Sequence, residues 1–159
     1  YVIIDTKGTE NNAFKEAIVH SDVIYLPTGV SSIDIKELVP TIELIMEQEG
    51  HIRQALKRAK VDGANEYKID ARVLFAKVQS TSRDMMREAM GICEDLLPFV
   101  SMSSAIVPYI KRVEQNQEHG LTLSDRGTEG FHPKRAVFEM LLDEIDGNRD
   151  VQMRRHSNG

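Results

Sequence analysis

A carboxylate at the end of an apolar run is the first feature of the chain that could do chemistry. The sequence opens YVIIDTKG, so Asp5 ends the run and Gly8 follows three residues later. At the tip of a buried strand such a carboxylate can help to hold Mg²⁺, and such a glycine lets a backbone N–H approach a terminal phosphate. The same spacing also fits a solvated aspartate before a turn, so other residues must decide between the two.

Two more apolar segments end in residues that could join this aspartate. Asp22–Thr28 and Ala71–Val78 both have nearly continuous apolar content, and Lys77 lies near the end of the second. Like Tyr1–Asp5, they are predicted to be strands that are covered on both faces. Parallel strands point their carboxyl ends to one edge of the sheet, where ligands bind, so the three strand ends are expected to converge.

Helical patterns separate these strands and indicate the fold class. The predicted helices are Asn11–His20, Ser32–Gln48, Ser82–Leu97, Val107–Glu118 and Pro133–Ile145; a further helix and loop are expected in 50–70, and a short strand in Phe99–Met102. Pro40 should kink its helix or mark the true start. The alternation predicts an α/β fold, a parallel sheet with helices on both faces. Residues 1–147 are expected to form one domain, and 148–159 a polar tail.

Composition and scattered reactive residues argue against several kinds of site. Cys93, the single cysteine, cannot form an internal disulfide, and its helical face, shared with Met86, Met90 and Leu97, predicts a core residue. Metal binding is disfavoured because the histidines show no i, i+4 pairing and no nearby cysteine; they are His20, His51, His119, His132 and His156. The net charge of -5 does not favour nucleic acid as a bulk partner. With no leader pattern or membrane-length apolar stretch, a cytoplasmic location is expected.

Four blocks of the sequence, taken in order, resemble the ParA/MinD family of deviant P-loop ATPases. The blocks are YVIIDTKG, SDVIYLPTGVSSIDIKELVPTIELI, RVLFAKVQSTSRD and AIVPYIKRVEQNQEHGLTL, and the resemblance covers about residues 1–145. This family includes plasmid and chromosome partition proteins and relatives that serve conjugative DNA transfer. The order of the blocks carries the resemblance, since no single block would suffice.

The resemblance implies a partial P-loop NTPase fold and roles for particular residues. Asp5 would be the Mg²⁺-associated carboxylate that ends the Walker B strand, with Thr6 next to it at the nucleotide. Gly8 would be the γ-phosphate sensor. The residues that flank the adenine would be Lys77, Val107 and Pro108.

The chain departs from the family pattern in its phosphate-binding part. No Gly-Lys pair of a phosphate loop occurs anywhere in the sequence, and the second aspartate block that should precede the Walker B strand is missing. Lys7 and Thr9 also stand where relatives often carry proline and glycine. The sequence therefore resembles the carboxy-terminal part of an ATPase. ATP and Mg²⁺ are expected to bind the intact parent protein. This chain alone is expected to bind neither of them tightly and not to hydrolyse ATP.

Two basic clusters are candidates for DNA binding, because the resemblance implies a family that binds DNA nonspecifically. Arg53, Lys57 and Lys60 recur at i, i+4 and i+7 and are predicted to share one helical face. Lys134 and Arg135 form the second candidate. A charge run is more usually a solvated face. The parent protein is expected to be an ATP-dependent homodimer that meets DNA and a centromere-binding or other activating partner protein, without a membrane.

Two other interpretations stay open. The chain could be a nucleotide-free α/β module that binds a protein partner. It could also be a GTPase-like switch protein, although Ala76-Lys77-Val78 stands where the guanine-reading Asn-Lys-x-Asp would be sought. The reading frame upstream of Tyr1 separates the ATPase hypothesis from the nucleotide-free module, since the ATPase requires a Gly-Lys-Ser/Thr loop there.

Overall fold

The computed structural model describes residues 2–6, 12–79, 81–109 and 136–147. In chain order the elements are α1 (Asn12–His20), β1 (Ile24–Thr28), α2 (Ser32–Lys36), α3 (Leu38–Arg58), β2 (Ala71–Phe75), α4 (Arg83–Glu94) and β3 (Ser101–Met102). Residues 136–147 are also helical. The predicted α/β class is confirmed.

The three strands form a parallel sheet in the order β1-β2-β3. The register pairs Ile24 with Ala71 and Thr28 with Phe75, and it pairs Arg72 with Ser101. Both crossovers, through α2 and α3 and then through α4, step across the sheet in the same direction. Since parallel crossovers are right-handed, two crossovers that step in the same direction lie on the same face of the sheet.

One face of the sheet carries the core. Burial alternates along β2, with Ala71, Val73 and Phe75 buried and the residues between them half-buried. The inward residues join side chains from α1 to α4 in one buried cluster, whose members outside the sheet include Phe14, Ile18, Ile35, Leu38, Ile42, Ile45, Ala89 and Cys93. Cys93 is thus the core residue that its helical spacing predicts, and burial raises the pKa of its thiol.

The other face is less completely covered. Tyr25 and Arg72 are paired neighbours on it, and both contact Glu144 of the 136–147 helix. Helices therefore flank the sheet on both sides. The half-burial of Arg72 and Leu74 differs from the two-sided burial that the apolar content of the strands predicts.

The predicted strand at Tyr1–Asp5 is wrong for residues 2–5. They form no strand, and the Val2 and Ile3 residues are 90% and 91% exposed. A strand needs a neighbour for its backbone hydrogen bonds, and residues 2–5 pair with no strand of the described sheet. An apolar run shows that a segment favours a sheet, but it does not show that a partner strand is present.

The predicted helix Ser32–Gln48 is two helices. Ser31 caps α2 by accepting from Asp34 N–H at 3.1 Å, and Asp34 Oδ2 accepts from Ser31 N–H at 3.3 Å, a reciprocal capping box. Pro40 lies in the first turn of α3, where its missing N–H costs nothing, so the proline does mark a helix start. The same helix then continues to Arg58, well into the segment 50–70.

The predicted helix Val107–Glu118 does not begin at Val107. Residues 107–109 are extended, and Pro108 bridges to Val78 in parallel fashion. Residues 110–118, 133–135 and the predicted tail 148–159 lie outside the described residues. No helix in the described ranges has the length and hydropathy to cross a bilayer.

Candidate functional site

The carboxyl ends of the strands are joined to one another by backbone hydrogen bonds. Ala76 N–H donates to Thr28 O at 2.8 Å, which ties the end of β2 to the end of β1. Val107 N–H donates to Phe75 O at 2.8 Å, and Val78 N–H donates to Val107 O at 3.1 Å. This edge, comprising Thr28, Gly29, Lys77, Val78, Val107 and Pro108, is called the carboxyl edge below.

The carboxyl edge brings together the residues that were predicted to flank an adenine. Lys77 directly precedes Val78, and Val78 bridges to Pro108 beside Val107. Lys77 is exposed and has φ of 56°, a left-handed conformation that residues with a side chain seldom adopt. Such backbone geometry is often found at ligand sites, where surrounding contacts enforce it.

A buried hydroxyl at the same edge has no partner. Thr28 is 7% exposed, and its Oγ1 makes no hydrogen bond in the structure. An unsatisfied buried hydroxyl costs free energy, and native proteins keep few of them. Thr28, which the sequence places at one of the converging strand ends without a role of its own, is therefore a candidate ligand contact.

Gly29 fits closely against the loop that follows β1. A Cβ at this position would overlap Asp34 Oδ2, the atom that closes the capping box with Ser31. The need for glycine here is thus one of space, because the Asp34 carboxylate lies against the backbone. This packing fixes the path of the chain as it leaves the carboxyl edge.

Two of the predicted metal and nucleotide residues, Asp5 and Thr6, lie on a described segment that forms no strand. Asp5 is exposed and Thr6 is half-buried, both on the strandless segment 2–6. Gly8 lies outside the described residues. Across the described ranges, no group of three or more His, Cys, Asp or Glu side chains could hold a metal ion.

The first basic cluster is divided by the end of α3. Arg53 donates from Nε to Tyr67 O at 2.7 Å and pairs with Glu49 at 2.6 Å, so its guanidinium fastens α3 to the loop before β2. Lys57 is exposed on the last turn, whereas Lys60 lies beyond the helix with φ of 58°. The prediction that one helical face presents all three is wrong, because α3 ends at Arg58. Lys134 and Arg135 lie outside the described residues.

A second polar cluster, on the outer face of the sheet, was missed from the sequence. Tyr25, Arg72, Ser103 and Ser104 surround the carboxylate of Glu144 and are called the Glu144 cradle below. Burial opposes ionisation of Glu144, but hydrogen bonds from Ser104, Ser103 and Tyr25 outweigh it and lower its pKa to about 2. Burial and the contact with Glu144 raise the pKa of Tyr25 to about 12.

Sequence separation explains why this cluster was missed. Glu144 lies 119 residues from Tyr25 and 40 from Ser104 along the chain. One signal was present, since Arg72 is a charged residue inside an otherwise apolar strand and has to find a counter-charge. Asp70 is this counter-charge: its carboxylate accepts two hydrogen bonds from Arg72, which raise the pKa of Arg72. The negative charge of Glu144 raises that pKa further.

A hollow of about 220 Å³ lies at the opposite end of β2. Its lining residues are Lys68, Ile69, Asp70, Ala71 and Ser101. None of them belongs to the predicted site, and the hollow is at the amino end of the strand. The carboxyl edge therefore remains the candidate functional site.

Comparison with known proteins adds no relative. The chain matches no family model, and no curated protein and no solved structure is significantly similar to it.

Proposed function

We propose that this chain is the carboxy-terminal part of a ParA-type ATPase, and that its carboxyl edge forms the base-binding side of the nucleotide site. In the intact protein, ATP would join two copies, the dimer would bind DNA nonspecifically, and an activating partner protein would trigger hydrolysis. Such proteins act in plasmid or chromosome partition or in a related DNA transfer.

The pairing of Val78 with Val107 and Pro108 is the observation that supports this proposal most. The sequence resemblance assigned these two separate segments to the adenine, and in the structure they lie side by side. Open α/β sheets bind their ligands at this edge. The orphan hydroxyl of Thr28 and the left-handed Lys77 are further features of the edge that a bound ligand would explain.

The residues of this chain could hold only part of a bound ATP and its Mg²⁺. The base side of the site is formed by the carboxyl edge, but backbone N–H groups and a lysine of a Gly-Lys loop would have to come from sequence that this chain does not contain. Asp5 is exposed in this structure, and under the proposal it would help to position Mg²⁺. The metal would supply charge neutralisation at the phosphates.

The second candidate is a nucleotide-free module that binds a protein partner. It is favoured by the exposed apolar segment, since Val2 and Ile3 lie almost wholly in solvent. Exposed apolar residues of this kind can mark a surface that is covered in an assembly.

Cross-linking with 8-azido-ATP tests the proposal against this alternative. Labelled peptides should include 76–79 or 106–109, and unlabelled ATP should suppress the labelling more effectively than GTP. Labelling that neither nucleotide suppresses, or that falls on other peptides, would contradict a base site at the carboxyl edge and favour the interaction module.

A further inference from the structure

The Glu144 cradle encloses a single carboxylate with donors from several places in the fold. Glu144 Oε2 accepts from the hydroxyls of Tyr25 and Ser103, each at 2.9 Å. Oε1 accepts from the N–H and the hydroxyl of Ser104, at 2.5 and 2.7 Å. Arg72 Nη1 lies 3.6 Å from Oε2 and contributes positive charge. This donor set is of the kind that binds oxyanions in general.

The donors are held by the sheet and do not depend on the 136–147 helix. Tyr25 and Arg72 are paired residues of β1 and β2. Ser103 follows β3, and its N–H donates to Val73 O at 2.9 Å. Asp70 fixes the Arg72 guanidinium through Nε at 2.9 Å and Nη2 at 2.7 Å, which leaves Nη1 for the anion. The cradle is therefore preorganised by elements other than the one that supplies Glu144.

The 136–147 helix has one half-buried apolar stripe, Val137, Leu141 and Ile145, and one exposed apolar set. Its apolar residues Phe138, Met140 and Leu142 are all at least two-fifths exposed. None of the described residues of this helix belongs to the buried cluster or to the half-buried side chains packed against it. Glu144, whose side chain is 14% exposed, is thus a polar attachment of the helix to the sheet, beside its half-buried apolar residues.

We propose that the Glu144 cradle is an oxyanion-binding site that Glu144 occupies from within the chain, and that a phosphate or carboxylate group can take its place and release the helix. A tethered carboxylate has a high effective concentration, so an external anion binds weakly while Glu144 is present and more tightly once it is removed. This inference concerns the outer face of the sheet and does not rest on nucleotide binding at the carboxyl edge.

The test uses the whole chain with Glu144→Ala, labelled with ¹⁵N and titrated with sodium phosphate, with sodium acetate and with sodium chloride at equal ionic strength. The Ser104 amide should shift and saturate with phosphate or acetate, and the thermal midpoint should rise with the same ion. A stronger response to one ion identifies phosphate or carboxylate as the preferred group. Chloride should have no saturating effect.

Two variants are matched controls. Glu139→Ala removes an exposed carboxylate from the same helix and should respond like the unaltered chain. Glu144→Ala combined with Arg72→Gln should abolish the saturating response, because the charge of the cradle is gone.

The unaltered chain provides a second measurement if Glu144→Ala does not fold. Excess phosphate or acetate should then speed amide exchange in 136–147 relative to chloride at equal ionic strength. A Ser104 amide that fails to respond in folded Glu144→Ala overturns the proposal. If that variant is unfolded, equal exchange rates in all three salts overturn it.

Discussion

Glu144 keeps its charge at a half-buried position because the donors around it outweigh the cost of burial. The pKa of an unperturbed glutamate is 4.5, and the hydrogen bonds of the cradle lower that of Glu144 to about 2. A group whose pKa is lowered on folding stabilises the fold fully above its unfolded pKa. That contribution disappears as the pH falls towards the folded pKa.

We expect the stabilisation by Glu144 to be complete above pH 4.5 and to disappear between pH 4.5 and 2. The contribution is about 3 kcal/mol at most. Urea unfolding of the unaltered chain and of Glu144→Gln across this range measures it, with Glu139→Gln as the exposed control. A gap between the unaltered chain and Glu144→Gln that stays constant from pH 7 to pH 3 would show that the carboxylate is not held as described.

Thr28 is a residue at which stability and ligand binding are expected to oppose each other. Thr28→Val removes the orphan Oγ1 and keeps the shape of the side chain, so the free energy of unfolding should rise by about 1 kcal/mol. Thr28→Ser keeps the hydroxyl but removes a buried methyl, and should lower the free energy of unfolding by about 1 kcal/mol. Thermal or urea unfolding checks both. If Thr28→Val destabilises as much as Thr28→Ser, the hydroxyl has a partner after all.

Among the elements, the turn from β1 into α2 depends on one close contact. Gly29→Ala should displace the Asp34 carboxylate from the capping box and lower the free energy of unfolding by about 1 kcal/mol. Asp34→Ala alone should cost about 1 kcal/mol, because it removes the capping box. The double variant should be less damaged than the sum of the two, since the clash needs the carboxylate. Strict additivity in urea unfolding would contradict this account of Gly29.

The helix α3 carries one arginine that is held by hydrogen bonds, Arg53, and two basic residues that are exposed near its end, Lys57 and Arg58. Arg53→Ala should lower the free energy of unfolding by about 2 kcal/mol, since Arg53 holds Tyr67 O and Glu49. The matched variant Lys57→Ala removes an exposed charge and should cost less than about 0.5 kcal/mol.

The proposed DNA binding should accordingly be tested at the exposed basic residues near the end of α3. Replacing Lys57 and Arg58 with glutamate should flatten the salt dependence of affinity by about one log unit for each phosphate that the variant no longer binds. The companion variant reverses Lys134 and Arg135. A slope that changes only in the companion variant would make the end of α3 a solvated surface.

The elements that sequence patterns predicted well are those with local causes. The strands β1 and β2 and the helices α1 and α4 follow from apolar runs and helical spacing, and they lie within three residues of their predicted bounds. The predicted strand Tyr1–Asp5 failed over residues 2–5 because an apolar run does not specify which strand it pairs with. The predicted helix Val107–Glu118 was wrong at its start because residues 107–109 pair with the chain at Val78. The Glu144 cradle depends on contacts between residues that lie 40 to 119 positions apart in the sequence, which periodicity does not encode.

At the scale of the whole molecule, the structure has a single-sided core and a polar outer face. The helices α1 to α4 cover the inner face, while Glu144 of the 136–147 helix contacts Tyr25 and Arg72 on the outer face. The carboxyl edge lies at one end of the sheet and the hollow beside Ala71 at the other. The proposed nucleotide function therefore depends on one edge of a three-stranded sheet.

The most direct test of that function is a residue-resolved titration of the ¹⁵N-labelled chain with ATP and Mg²⁺, with GTP and Mg²⁺ as the control. The account predicts that the amides of Lys77, Val78 and Val107 shift with ATP more than with GTP. Since the chain has no Gly-Lys loop to hold the phosphates, the dissociation constant should be no tighter than about 1 mM. An affinity on the order of micromolar would mean that other residues hold the phosphates. Shifts that leave the carboxyl edge unchanged would contradict the account.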